Sequence, residues 1–507
     1  MKKSKKKIFY FLLLLMIFKP VWVFNNSDLG SPGNDDLSYW IHAATLIYDF
    51  DLNYLNDFEV SEGTFNSVTN TPYHPPGAGY LSSVFVFIFS LFDNANFDRL
   101  NPIGSFAFLG YYFATLFYFT FGIFLLSKII KSTKETSHFD LVLFSAFCGT
   151  LAHYVVTRFM MSHAVEFFLC SAIIYLLEKY NRNLTLNKIF IIFLLYFLLS
   201  ITRPSTFIYS LCLLVIYAPD NMKNKTNYLW VFLNTIFFST FHIILSKYLY
   251  QTNSIFNNYQ SNFREQNYTE FDLFSILQST KYIPNLFFSS SMGLIWTAPI
   301  VVFGILSLFI NKHFFDSKHR FAKIFTFFYF FGAIVVMMVW QGRDVAYGQR
   351  LIIGLIPFCV LQVNTILKNN FLKKLFSFFT AITYLGYFYF YSSKNLTLKP
   401  GLTLWGREVG YTGEKYFYNL IFEFYKLENI FTALSENIIS INLLYFLPAS
   451  FFEKLYYALF STPTLFENLL IQISNYKNID FMYFFTGTFI YILFSVLFTS
   501  ILNKKIK

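Results

Sequence analysis

The sequence predicts an all-α polytopic membrane protein, a bundle of about 12 transmembrane helices with large extracytoplasmic loops. Three observations carry that prediction. Hydrophobic residues make up 55% of the chain and charged residues only 13%, against a charged share of about 25% in a soluble domain. The apolar residues fall in long runs, many near the ~20 residues that a membrane helix needs. Lysine clusters separate the runs, and alternating the runs puts every cluster on one side.

The chain opens on Met1-Lys2-Lys3-Ser4-Lys5-Lys6-Lys7 and an apolar run to Phe24. No small-residue cleavage site follows, since Lys19-Pro20-Val21-Trp22 is bulky. An uncleaved signal anchor is expected, with the N-terminus cytoplasmic and residue 25 outside. The expected spans are 8–24, 104–127, 139–157, 160–178, 189–202, 206–218, 228–248, 293–310, 324–340, 351–367, 375–392 and 481–502. The lysine-rich connections at 128–134, 179–188, 223–225, 312–323, 368–374 and 504–507 then all lie in the cytoplasm. Both termini are cytoplasmic, and the protein is placed in the cell (inner) membrane.

This divides the chain into a transmembrane module, 1–392, whose extracytoplasmic loops are about 25–77 and 251–292, a third and longest extracytoplasmic region at 393–480, and a final helix with a basic tail, 481–507. The net charge of +11 is explained by the cytoplasmic lysines, so no nucleic-acid partner is expected. Cys148, Cys170, Cys212 and Cys359 lie in apolar segments without metal-like spacing and are expected as small core residues. Part of the high Phe and Tyr content, with the many Asn and Lys, is read as the base composition of an AT-rich genome and not as function.

Two segments depart from plain spans. Residues 78–92 are apolar but too short to cross, so a re-entrant or interfacial helix is expected there. In 189–218, Arg203-Pro204 breaks the middle of an apolar stretch. Proline removes a backbone donor, and arginine at membrane depth is expensive. Broken membrane helices line cavities or binding sites.

The polar residues concentrate in a few blocks. In the first loop, Pro32-Gly33 makes a turn, and Asp35-Asp36 precedes a helix-like run over 37–48. An aspartate there caps a helix, and only one of the two is needed for that. A carboxylate so placed can also take a proton from a hydroxyl or hold a divalent metal. The loop closes on His74-Pro75-Pro76-Gly77. The prolines suit a helix start, and His74 is either a phosphate donor or a metal ligand. His163 and Glu166 share a helix face near the outer end of their span, as a metal or proton-relay pair or as a satisfied core histidine. The stretch Trp340-Gln341-Gly342-Arg343-Asp344-Val345-Ala346-Tyr347-Gly348-Gln349-Arg350 forms a short outer loop. Charge bias disfavours arginine there. Arg343 and Arg350 are therefore expected to bind an anion, with a local Arg343–Asp344 pair as the alternative.

These blocks, in this order, resemble the GT-C membrane glycosyltransferases, in the branch of the protein O-mannosyltransferases and lipid A aminoarabinose transferases. The resemblance covers roughly 8–367. It rests on Asn34-Asp35-Asp36-Leu37-Ser38-Tyr39, His74-Pro75-Pro76-Gly77, Thr202-Arg203-Pro204, and Trp340, Gly342 and Tyr347-Gly348-Gln349-Arg350 before Pro357. It implies inverting transfer of a sugar from a polyprenyl-phosphate donor in the bilayer to a lipid, glycan or protein acceptor on the outer face. Asp35 is implied as general base, with Asp36 assisting it or binding a metal. His74, Arg203, Arg343 and Arg350 are implied at the donor phosphate, and Tyr39, Tyr347 and Gln349 at the substrate. A divalent ion held by Asp36, His163 and Glu166 is the one cofactor admitted.

Two other readings stay open. A transporter or flippase of lipid-linked sugars also suits broken helices and buried arginine, but should carry inverted repeats, which the sequence does not display. A lipid-linked glycan polymerase or ligase would centre instead on outer-loop arginines such as Arg264.

Overall fold

The computed structural model describes residues 34–58, 65–66, 71–93, 102, 105–132, 138–152, 154–155, 158–180, 185–211, 225–255, 287, 293–310, 323, 326–327, 329–331 and 350–392. The expected spans 8–24 and 481–502, the region 393–480, and Cys212, Arg264, Arg343, Tyr347 and Gln349 lie outside the described residues.

The described chain is mostly helical. Helix α1 (Asn34–Tyr48) starts one turn earlier than its apolar run, so Asp35 and Asp36 occupy its first turn. A two-residue antiparallel hairpin, Phe65–Asn66 against Thr71–Pro72, leads to His74. Helix α2 (Gly77–Ser90) begins after Pro76 and is as short as the sequence implies. It crosses α1 at Gly79, where a Cβ would lie 2.6 Å from the Tyr39 carbonyl and 2.6 Å from the His42 Cβ. Only glycine permits that approach.

Helix α3 (Phe106–Ser132) has 27 residues, about 40 Å at 1.5 Å per residue. Asp93 caps it, its carboxylate accepting from the N–H groups of Phe106 and Ala107 at 2.7 and 2.8 Å. Helix α4 (Phe139–Ala146) does not continue as one span to 157. It runs into a π turn, Phe147–Leu151, where Gly149 leaves helical geometry and lies against the Thr297 carbonyl. Helices α5 (His163–Lys179), α6 (Leu186–Thr202) and α7 (Lys225–Tyr250) follow. The expected break after Thr202 is present, with Arg203 at φ −146°, ψ 84°. The pyrrolidine ring of Pro204 excludes Arg203 from helical geometry.

The expected span 293–310 is interrupted in the same way. A one-turn helix, Leu294–Thr297, is separated from α8 (Pro299–Ile310) by Ala298, the residue before a proline. Residues Arg350–Leu355 form a 3₁₀ turn that leads into α9 (Ile356–Ile366), and α10 (Asn370–Ser392) closes the described part.

Two described helices, at Phe106–Ile130 and Leu229–Tyr250, are long and apolar enough to cross a membrane. Helix α7 turns Leu229, Phe232, Leu233, Ile236, Phe237 and Ile244 outward. A continuous apolar face of this kind marks a membrane or partner contact. The core is aromatic: Tyr39, Trp40, Tyr111, Tyr112, Phe108 and Phe159 are fully buried. Trp40 meets Phe108 edge-on at 5.8 Å, the geometry that ring quadrupoles favour. Cys148, Cys170 and Cys359 are free and buried, as expected of core residues.

Helix directions sort polar from basic ends. Helices α3 and α5 run the same way, with the Tyr111 hydroxyl donating to the Met160 carbonyl at 3.0 Å and Phe119 packing on Phe167. Helix α6 runs back against α5, so Arg203 faces Glu166 and Lys188 covers the Tyr180 ring. Helix α7 parallels α6, with Ser200 2.9 Å from His242, and its last residue, Tyr250, reaches His74. One end of these four helices therefore carries Lys128, Lys179 and Lys188, and the other gathers the polar residues.

Candidate functional site

The first turn of α1 supplies two adjacent carboxylates, and the fold gives them different partners. Asp36 is fully buried and gripped by Arg158, with Nε 3.1 and 2.9 Å from its two oxygens and Nη2 2.7 Å from Oδ2. Such a fork satisfies a buried carboxylate more completely than any point charge. The Asp35 side chain is 39% exposed, and its Oδ2 accepts from Arg350 Nη1 at 3.1 Å. His74 Nε2 lies 3.9 Å from its Oδ1.

His74 is held from several directions. Its N–H donates to Ser38 Oγ at 2.9 Å. Its carbonyl accepts from Tyr250 at 3.0 Å and from His42 Nε2 at 2.8 Å. A carbonyl cannot donate, so His42 Nε2 carries the proton and Nδ1 accepts from Tyr54 at 2.6 Å. Burial lowers His42 to about 3, so it stays neutral. Tyr39 packs its ring on His74 at 4.8 Å, and its hydroxyl accepts from Ser162 at 3.2 Å.

Burial alone would raise Asp35. The charges of His74, once it is protonated at low pH, and of Arg350 and Arg158 outweigh it and hold the carboxyl well below the usual carboxylate range. His74 is lowered to about 4, chiefly by burial, with the attraction of Asp35 opposed by Arg350, Arg203 and Arg158. At neutral pH the pair is an ionised aspartate beside a neutral imidazole.

A second knot lies beside the first. Glu166 is fully buried and accepts from His163 Nδ1 at 3.0 Å, from the Thr206 hydroxyl and from the Gly354 N–H. Arg203 Nε lies 3.8 Å from the same carboxylate. Tyr329 lies 3.4 Å from Glu166 and donates to the Leu351 carbonyl at 2.7 Å. Glu166 thereby joins the helix break at Arg203 to the turn that carries Arg350. Gly354 packs tightly against this knot, since a Cβ there would stand 2.6 Å from Glu166 Oε1 and force the side chain to shift.

Of the residues singled out from sequence, Asp35, Asp36, Tyr39, His74, His163, Glu166, Arg203 and Arg350 converge here. The donor set does not fit the divalent ion considered for Asp36, His163 and Glu166. Both Asp36 oxygens belong to a guanidinium, and Glu166 is enclosed by donors. Among the described residues, no group of three or more His, Cys, Asp or Glu gathers to hold a metal.

Arg158 was not singled out from sequence, yet it is central. It lies between the expected spans 139–157 and 160–178, in a turn that the expected topology makes an outer one, where charge bias disfavours arginine. The reasoning that identifies Arg343 and Arg350 applies to it equally. Ser38, Thr206, Tyr250 and Tyr329 carry no comparable signal, because hydroxyls are common in apolar helices.

Chemically, the described residues of the site offer an accessible carboxylate, Asp35, next to guanidinium groups that suit phosphate oxygens. No family model matches the chain, and no curated protein or solved structure matches it.

Proposed function

We propose that the protein is an integral membrane glycosyltransferase with a GT-C-like bundle of about 12 spans. It transfers a sugar from a polyprenyl-phosphate donor to an acceptor hydroxyl on the extracytoplasmic face, with inversion. Supporting the sidedness, the helix ends that carry Lys128, Lys179 and Lys188 lie away from the polar cluster, as cytoplasmic ends would, and Lys247, in the last turn of α7, is the exception among the described lysines of these helices.

The observation that carries the reading is the pairing of Asp35 with Arg350, an accessible carboxylate beside a guanidinium, the group whose geometry suits phosphate. In the proposed reaction the acceptor oxygen attacks the anomeric carbon on the face opposite the phosphate. The bond from that carbon to the phosphate oxygen breaks, and its electron pair leaves with the phosphate. The hydroxyl proton passes to Asp35. Arg350 balances the charge that grows on the leaving phosphate, as a preorganised donor does, and Arg203, still held by Glu166, adds positive potential from nearby. Asp36 keeps α1 docked through Arg158 and takes no proton. His74, neutral and wedged between Tyr39 and Asp35, offers a donor to a phosphate oxygen.

The test is a transfer assay with the purified protein in liposomes, using a panel of radiolabelled polyprenyl-phosphate hexoses and membrane extract as acceptor. Label should leave the polyprenyl carrier and appear in a product stable to mild acid. Label that crosses the bilayer still attached to its carrier would support a flippase and contradict this reading.

A further inference from the structure

Among the described residues, the cluster sets three guanidinium groups, Arg158, Arg203 and Arg350, against three carboxylates, Asp35, Asp36 and Glu166. An anion entering such a cluster needs a cation whose present partner can let go. Uncompensated charge left at low dielectric is expensive.

Two of the three arginines face partners that cannot leave. Asp36 is fully buried and held by a three-bond fork. Glu166 is fully buried and enclosed by His163, Thr206 and the Gly354 N–H. Arg350 differs, because its carboxylate partner is the solvent-accessible one and meets it through a single hydrogen bond of 3.1 Å. Asp35 can swing toward water without leaving a buried charge behind.

We infer that the phosphate of a lipid-linked donor takes Arg350 from Asp35, so that the base is released only in the donor complex. The inference rests on the donor reading above and adds to it an order, donor before acceptor. A phosphate oxygen replaces Asp35 Oδ2 on Nη1, and the carboxylate turns to the acceptor hydroxyl. While paired, Asp35 has little affinity for a proton. Separated from Arg350, it regains some, which a general base needs. The pairing therefore guards against attack by water before the donor is seated.

The exchange has a direct signature. Asp35 competes with phosphate for Arg350, so removing the carboxylate's charge should tighten anion binding even though it abolishes transfer. The probes are a polyprenyl monophosphate and the matching uncharged polyprenol, titrated calorimetrically into the full-length protein in lipid nanodiscs. Asp35→Asn should bind the phosphate about threefold or more tightly, a gain in keeping with an accessible ion pair. Arg350→Gln should bind it about tenfold more weakly, as loss of a charged hydrogen bond implies. In the Arg350→Gln background, Asp35→Asn should change nothing, and polyprenol should bind all variants alike.

If Arg350→Gln weakens phosphate binding while Asp35→Asn leaves it unchanged or weaker, the donor reading stands and the exchange is wrong. The exchange is equally wrong if Asp35→Asn tightens binding without Arg350, since general repulsion then explains the gain. If Arg350→Gln and wild type both bind phosphate no better than polyprenol, the donor site itself is refuted, and the exchange with it.

Discussion

Arg158 reaches across 122 residues of sequence to hold both oxygens of Asp36, while Asp35, one position earlier, is left to Arg350. Adjacent carboxylates thus divide into a buried anchor and an accessible group paired with Arg350. The anchor gives a first prediction. Removing one partner of a buried pair costs about 3–5 kcal/mol, because the other charge is stranded. Asp36→Asn should lower the unfolding temperature of the detergent-solubilised protein by several degrees. The double variant Asp36→Asn, Arg158→Gln should recover part of the loss. If Asp36→Asn melts like wild type, the fork is not an anchor.

The histidines predict a pH dependence of stability. His74 and His42 are held at about 4 and about 3 in the folded protein, below the ordinary 6.5. Between those values and 6.5 the unfolded chain binds protons that the folded chain refuses, so stability falls as pH is lowered through that window. The lowered carboxyl of Asp35 acts in the same direction below the ordinary carboxylate range. His74→Gln should flatten the decline between about pH 6.5 and 4 in thermal unfolding. An unchanged slope would show that His74 titrates normally.

Gly354 predicts a steric effect. A Cβ there would press on Glu166 Oε1 at 2.6 Å and on Thr206 Cγ2 at 2.8 Å. Gly354→Ala should cost about 1–3 kcal/mol, as overpacking does. Because Gly354 lies on the turn that carries Arg350, the KM for donor should rise as well. A variant with wild-type stability and KM would show that the turn adjusts freely.

Much of the site was legible because its residues are anomalous where they stand. Asp35, Asp36, His74, Arg203 and Arg350 are polar or charged in a chain that carries little charge. The break after Thr202 was legible because proline acts on its immediate neighbour. The partners were not. Nothing local says that Arg158 belongs to Asp36 and Arg350 to Asp35, since the pairing depends on how α1 lies across distant helices. The interruption at Gly149 was missed for a related reason, whereas the one at Ala298 follows from Pro299 by the same local rule as the break after Thr202 and was open to the sequence reading. Hydropathy sees the apolar run, whereas the Thr297 carbonyl that displaces Gly149 comes from another part of the chain.

Sidedness gives a fourth prediction. Asp51, in the first loop, and Asn369, beside Lys368, are both exposed. In whole cells an impermeant thiol reagent should label Asp51→Cys and spare Asn369→Cys until the membrane is opened. Three native cysteines, Cys148, Cys170 and Cys359, are buried and should react little. The opposite pattern would place the polar cluster in the cytoplasm and remove the outer-face reaction.

The role of Asp35 is tested most directly by the single-turnover transfer rate of Asp35→Asn with donor and acceptor both saturating. The substitution is nearly isosteric and keeps a side chain suited to a helix start, so the fold should persist. Asp35 as general base requires the rate to fall about 10²–10⁴-fold while the variant still binds polyprenyl phosphate. A folded, donor-binding Asp35→Asn that transfers sugar at close to the wild-type rate would contradict it.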